Sequence, residues 1–178
     1  VFVGVATLFA LGNFTYMFFI LRVQQFFTLK LAVVMPLLLY MLFNVVYAIF
    51  AIPAGLLADR FGKGRILALG YLLFGLSSLG FVVFDSLPWF IFLFSLYGLF
   101  QAVVDGNQRA FASDLVDEGI RGTALGTFHT ATGLAAMPAG LIGGALWQIN
   151  PQVTFIYGAF MGFLASILLL ILWSFSKR

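Results

Sequence analysis

Cysteine is absent from this sequence, and charge is scarce. Without thiols there is no disulfide framework, no thiolate metal site and no cysteine nucleophile. Asp, Glu, Lys and Arg together make up 8% of 178 residues, against about 25% in a soluble domain. A chain so poor in charge cannot cover a water-facing surface, so the soluble single domain that the length alone suggests is excluded. One histidine and no HExxH motif leave zinc without a ligand set. The net charge of +3 is small and scattered, which argues against a nucleic-acid footprint. No metal and no cofactor are expected.

What is present is apolar. Hydrophobic residues make up 63% of the chain, Phe alone contributes 23 of them, and the mean hydropathy is +1.11. These values describe a polytopic membrane protein whose solvent and first partner is the lipid bilayer. The sequence starts at Val1 inside an apolar run without an initiator Met, as expected of a fragment. That run has no basic n-region and no small-residue cleavage site, so it reads as a span rather than a signal peptide.

A helix crossing the hydrocarbon needs about 20 apolar residues. Four runs free of formal charge fall before Asp105, and a fifth covers 122–176. The fifth would make a helix of roughly 80 Å, too long for one crossing. Asn150-Pro151 divides it, because Pro holds its predecessor extended and Asn favours turns. The expected fold is all-α, one six-helix transmembrane domain over 1–178. Its helices fall near 1–21, 31–57, 66–84, 88–111, 122–149 and 153–175. Barrel strands are excluded, since the apolar runs do not alternate.

Basic residues orient the spans. Arg60, Lys63, Arg65, Arg109, Arg121, Lys177 and Arg178 fall on one side, and only Arg22 and Lys30 on the other. The first side is expected to be cytoplasmic, with both termini there, in a bacterial inner membrane.

Polar side chains concentrate in four of the six spans. The first has Asn13 and Tyr16; the second has Tyr40, Asn44 and Tyr47 at i, i+4, i+7. The fourth has Tyr97, Gln101, Asp105 and Gln108 in one stripe, and the fifth has His129 beside a threonine stripe. The third and sixth carry mainly small hydroxyls, which can bond to their own backbone and face lipid. The order inner, inner, outer occurs twice. It predicts two inverted three-helix repeats, a common transporter plan. The polar stripes read either as interhelical glue or as a wet cavity wall.

The link after the second span reads Gly55-Leu56-Leu57-Ala58-Asp59-Arg60-Phe61-Gly62-Lys63-Gly64-Arg65. Gly55 would permit close helix approach, Asp59 would meet a helix N-terminus, and Gly62 and Gly64 would allow a tight turn. Here the sequence resembles the major facilitator superfamily, whose signature G-x-x-x-D-[RK]-x-G-[RK]-[RK] is matched by Gly55, Asp59, Arg60, Gly62 and Lys63. Gly64 departs from the second basic position, and Arg65 stands one residue on. The stretch Arg109-Ala110-Phe111-Ala112-Ser113-Asp114-Leu115, with Arg121-Gly122-Thr123-Ala124-Leu125-Gly126, is similar to the end of the tenth helix and start of the eleventh in bacterial members. The resemblance covers the whole chain and is to the C-terminal half, helices seven to twelve.

The resemblance implies a secondary active carrier that works by alternating access; its cargo is expected to be a small organic solute, its coupling ion the proton, and its direction export. The other partner it implies is an N-terminal six-helix half or a second copy. Asn13, Tyr16, Tyr40, Asn44, Tyr47, Tyr97, Gln101 and Gln108 are the candidate cavity residues. Asp105 is the first candidate for coupling, since a carboxylate within a span is costly to charge; its alternative is a structural pair with Arg109 at i+4. His129 is the second coupling candidate. Asp59, Arg109, Asp114 and Arg121 are expected to cluster with the loop motif as a cytoplasmic gate. An intramembrane serine protease is disfavoured, because no GxSG surrounds Ser77 or Ser78, and a channel lacks filter elements. The remaining alternative is a non-transporting isolated or engineered six-helix module.

Overall fold

The computed structural model describes residues 1–175, with side chains to Trp173; Lys177 and Arg178 lie outside the described residues. Every regular element among them is helical. The first span is two helices, α1 (Phe2–Gly12) and α2 (Met17–Gln24). Then come α3 (Leu31–Phe61), α4 (Lys63–Val83), α5 (Leu87–Asp114), α6 (Arg121–Ile149) and α7 (Pro151–Phe175), with a 3-10 turn at Glu118–Ile120 before α6. By length and composition, five segments can cross a membrane: Phe2–Gln24, Leu31–Phe61, Lys63–Val83, Leu87–Asp114 and Pro151–Trp173. The sixth, α6, is long enough at 29 residues but is built largely from Gly, Ala and Thr.

The break in the first span corrects the single helix expected over 1–21. Asn13 leaves the helical region at φ −85°, ψ 69°, and Thr15 Oγ1 accepts the Met17 N–H at 3.4 Å. Short polar side chains bonding to nearby backbone compete with the helical ladder. The helices also outrun the apolar stretches: α3 continues through Asp59 and Arg60, and α4 already starts at Lys63. Charged residues end the hydrocarbon span without ending the helix. Pro36, Pro53 and Pro138 all lie inside continuous helices.

Packing follows the repeat. Exchange of α1–α4 with α5–α7 maps each helix contact onto another: α3 on α5 onto α6 on α1, and α4 on α5 onto α7 on α1. The α4–α7 pair maps onto itself and is the most extensive contact in the bundle. Three crossings per repeat place the two units in opposite orientations, an inverted repeat. The third and sixth spans, expected to face lipid, also pack on each other through the α4–α7 contact. Leu69, Leu72, Leu76 and Leu79 of α4 are exposed along one stripe, while Ser77 and Ser78 behind them are fully buried. Ser77 bonds to Leu73 O of its own helix at 2.8 Å. Ser166 of α7 instead bonds across to Ala68 O at 2.7 Å, Thr154 to Gly143 O at 3.2 Å and Tyr157 to Leu11 O at 3.1 Å. Those hydroxyls tie helices together.

Lipid tails are as apolar as leucine, so association rests on close packing and interhelical bonds. The phenylalanines supply the first. Phe9, Phe14, Phe19, Phe74, Phe81, Phe100 and Phe155 are at most 2% exposed and contact each other or Tyr71 and Tyr97 edge-on, stacked or tilted. At the α4–α7 crossing the backbones nearly touch: a Cβ on Gly162 would lie 3.0 Å from the Gly75 nitrogen. Gly162→Val should therefore force the pair apart, an overpacking cost of about 1–3 kcal/mol. Thermal unfolding in detergent should show a clear drop for Gly162→Val and little change for Gly144→Ala, where an added Cβ meets nothing within 4 Å. An unchanged midpoint for the valine variant would mean that the crossing is looser than described.

Candidate functional site

Three polar groupings lie along the bundle. The first is a recess of about 310 Å³ where α1, α5 and α6 meet. Its polar lining is Asn13, Gln108, His129 and Thr132, and three alanines, Gly133 and Phe9 complete it. The Asn13 side chain sits here because α1 ends at it, in the break of the first span. Gln108 is fixed from behind: its Nε2 donates to Tyr71 Oη of α4 at 2.8 Å, and Tyr71 is buried under Phe9, stacked at 4.0 Å. Tyr71 and Thr132 were missed in the sequence. A lone tyrosine in an otherwise apolar third span was the available signal.

The second grouping joins α3 and α5. Tyr47 Oη donates to Asp105 Oδ2 at 2.8 Å, and Arg109 Nη2 lies 3.4 Å from the same oxygen. Arg109 Nε also donates to the Asp105 carbonyl at 3.3 Å. Beside them is a cavity of about 120 Å³ that reaches Gly55 and Asn107. Asn107 is buried and donates to Val103 O at 2.8 Å and to Ala54 O at 3.5 Å. The Asp105–Arg109 pairing is the i+4 contact that the sequence allowed; the tyrosine from α3 adds a second donor.

The third grouping is at the signature loop. One residue, Gly62, connects α3 to α4, at φ +95°, a region that L side chains rarely adopt. Lys63 Nζ lies 3.7 Å from Asp59 Oδ1 and 2.5 Å from Asp114 Oδ2, joining the end of α3 to the end of α5. Trp173 of α7 lies flat against Gly62 and Gly64, where added Cβ atoms would meet its ring at 3.0 and 2.6 Å. Gly64, the departure from the family signature, gives that indole its seat.

Several expectations need correction. Tyr97 is 5% exposed and packed among Phe19, Phe43, Phe74 and Phe100, in the core rather than on a cavity wall. The fourth-span stripe therefore divides: Tyr97 faces the core, Asp105 faces α3, and Gln108 faces α4 and the recess; Gln101 is half-buried. Tyr16 and Tyr40 stack on each other at 5.1 Å, and Asn44 bonds to Tyr40 O within its own helix at 2.7 Å. Gly55 mediates no close approach, since a Cβ there would meet nothing within 4 Å. Asp59 is paired with the Lys63 side chain rather than with a helix N-terminus. The expected four-residue charge cluster is split, because nearer partners compete: Arg109 goes to Asp105 and Arg121 to Glu118 at 3.2 Å. Arg60 lies 5.5 Å over the Phe61 ring, and Arg65 is exposed.

The Major Facilitator Superfamily model matches residues 2–178. The chain belongs to the major facilitator superfamily. An uncharacterized MFS-type transporter of Methanocaldococcus jannaschii is 46% identical over 172 residues, which are 95% of this chain and 43% of that protein. The 3-(3-hydroxy-phenyl)propionate transporter of Escherichia coli is 31% identical over 108 residues, 61% of this chain and 27% of that protein. The multi-drug resistance efflux pump PmrA of Streptococcus pneumoniae is 30% identical over 123 residues, 68% of this chain and 30% of that protein. This major facilitator chain thus spans well under half the length of these relatives. No solved structure matches it. Membership, with the membrane-length apolar helices, makes it an integral membrane protein.

Proposed function

We propose that this chain is the C-terminal six-helix half of a secondary active transporter that moves a small organic solute by alternating access. The observation that carries the reading is the family match over residues 2–178, joined to a polar recess among three helices of an apolar bundle. The other half of the pathway comes from an N-terminal six-helix half or a second copy. Asn13 and Gln108 contact the solute, and Tyr16, Tyr40, Asn44, Tyr47 and Gln101 line its path. Asp105 carries the coupling proton, with Tyr47 as the donor that holds its charged form. Lys63, Asp59 and Asp114 close the pathway at the signature end. Export is the favoured direction, because relatives include a protein named as an efflux pump.

The signature end faces the cytoplasm of a bacterial inner membrane, and both termini lie on that side. This sequence contains no cysteine, so no background label comes from these 178 residues. Lys30→Cys in the full-length protein should react with an impermeant maleimide from outside whole cells, and Lys63→Cys should be protected. The reverse pattern would invert the orientation.

Uptake by the full-length protein in proteoliposomes under an imposed pH gradient tests the function itself, using a panel of radiolabelled metabolites. Gradient-driven accumulation of at least one solute, abolished by a protonophore, is the expected result. No accumulation of any solute by a well-folded preparation would favour the non-transporting module.

A further inference from the structure

We propose that Tyr71 is a positioning residue for the recess: from α4, which lines none of it, the Tyr71 hydroxyl sets the Gln108 amide before a solute arrives. The proposal rests on the reading that places Gln108 in the solute's path.

The hydroxyl adds nothing to packing. Tyr71 is fully buried, and its ring lies on Phe9 at 4.0 Å with 15° between the planes. Phe74 and Phe81 on the same helix are equally buried and fill their places as plain phenyl rings. A phenol in such surroundings is costly unless its oxygen is hydrogen-bonded. Its one hydrogen bond is with Gln108 of α5, at 2.8 Å and 37 positions away. That bond is what the oxygen contributes over phenylalanine.

Gln108 depends on it. The neighbouring Asn107 is buried and donates to the Val103 and Ala54 carbonyls. Gln108 is half-buried, and among the described residues its side chain has no hydrogen bond except the one with Tyr71. A glutamine left free would move among several rotamers, and ordering it on binding would cost conformational entropy. Tied at one end to Tyr71, the amide keeps its other end for the recess, where Asn13, His129 and Thr132 are the other polar groups. Part of the ordering cost is thus removed in advance, which is what preorganisation does.

The bond is not what holds the two helices together. An added Cβ on Gly70 would overlap Val104, and one on Gly80 would overlap Leu93. Close packing therefore joins α4 to α5 at points before and after the Tyr71 hydroxyl, without its help.

Tyr71→Phe in the full-length protein tests this, since it removes one oxygen and keeps the ring on Phe9. The first measurement needs no solute. It is water exchange of the Gln108 side-chain amide, followed by NMR of protein carrying isotope-labelled glutamine, with Gln108→Leu identifying the signal. In the wild type that amide should be displaced from the position of a solvated glutamine and slow to exchange. In Tyr71→Phe it should take the solvated position and exchange roughly tenfold faster, as loss of one ordinary hydrogen bond allows. Other glutamine signals should stay in place. The second measurement uses a solute that accumulates in the uptake assay. Tyr71→Phe should raise its KM roughly three- to tenfold, the range for freeing one long side chain, and keep the maximal rate. In a Gln108→Leu background the same change should add nothing.

An unchanged Gln108 signal in Tyr71→Phe would overturn the proposal. So would a lowered melting midpoint with the amide signal retained, the mark of a structural tie, or a further rise in KM in the Gln108→Leu background. Failure of every solute to accumulate would sink the transporter reading, and the amide signal would still decide whether Tyr71 positions Gln108.

Discussion

Asp59→Asn in the full-length protein is expected to cut turnover in proteoliposomes by at least about tenfold, with little change in melting. The two halves of that expectation have different origins. Asp59 is 68% exposed at its side chain and 3.7 Å from Lys63, and an exposed pair contributes only about 0–1 kcal/mol to stability. Lys63 also keeps its shorter contact with Asp114, so the helix ends stay joined. Transport is more sensitive, because a carboxylate that is engaged in one conformation and released in the other sets their ratio. A differential of about 1.4 kcal/mol between them is already a tenfold shift. Lys63→Gln removes both contacts and should be the more severe change. Wild-type rates for Asp59→Asn at normal expression would remove the gate role and leave a topological anchor.

Asp105→Asn should abolish accumulation driven by a pH gradient while preserving exchange of solute for solute. The amide mimics the protonated acid permanently, and exchange needs no proton release. The position of Asp105 supplies the competing outcome. Arg109 faces it at 3.4 Å, so an amide leaves a cation without its partner, and leaving one member of a close pair uncompensated is the destabilising event. Arg109→Gln added to Asp105→Asn separates the two accounts. Recovery of stable protein that still fails to couple is the expected behaviour. Recovery of full pH-driven accumulation would eliminate Asp105 as the coupling residue and leave His129, or a group outside this chain, as the next candidate.

The spans were legible because lipid imposes a coarse rule: enough consecutive apolar residues make a crossing helix. That rule located α6 and α7 within two residues at each end that was expected, since Asn150-Pro151 forces the separation. It failed at Asn13–Tyr16, where the run stays apolar enough to cross yet the backbone leaves the helix. Nor did it reveal that the third and sixth spans pack on each other, where small residues such as Gly75 let α7 approach α4 closely. The fourth-span stripe was read correctly as positions but not as one wall, since Tyr97 lies in the core while Gln108 lines the recess. Helical spacing puts Tyr97, Asp105 and Gln108 near one another on a cylinder, whereas partners on three other helices decide where each side chain points. Asp105 could be matched to Arg109 from sequence because both are on one helix; Tyr47, 58 positions away, could not.

Gly62 and Asn150 occupy equivalent places in the two repeats, each the single residue between a repeat's second and third crossings. Neither connection has slack to give. The residues between α2 and α3, at 25–30, and between α5 and α6, at 115–120, form the longer links. The polypeptide can therefore be opened or lengthened at those two places and nowhere near the other two. A fluorescent protein, an epitope or a new pair of termini placed within 115–120 should be carried without loss of assembly, as exposed loop tips generally allow. The same insertion after Gly62 would have to unseat Trp173 and separate Lys63 from both of its carboxylates. Connectivity engineering thus has a preferred address in this bundle, set by which turns were built from one residue.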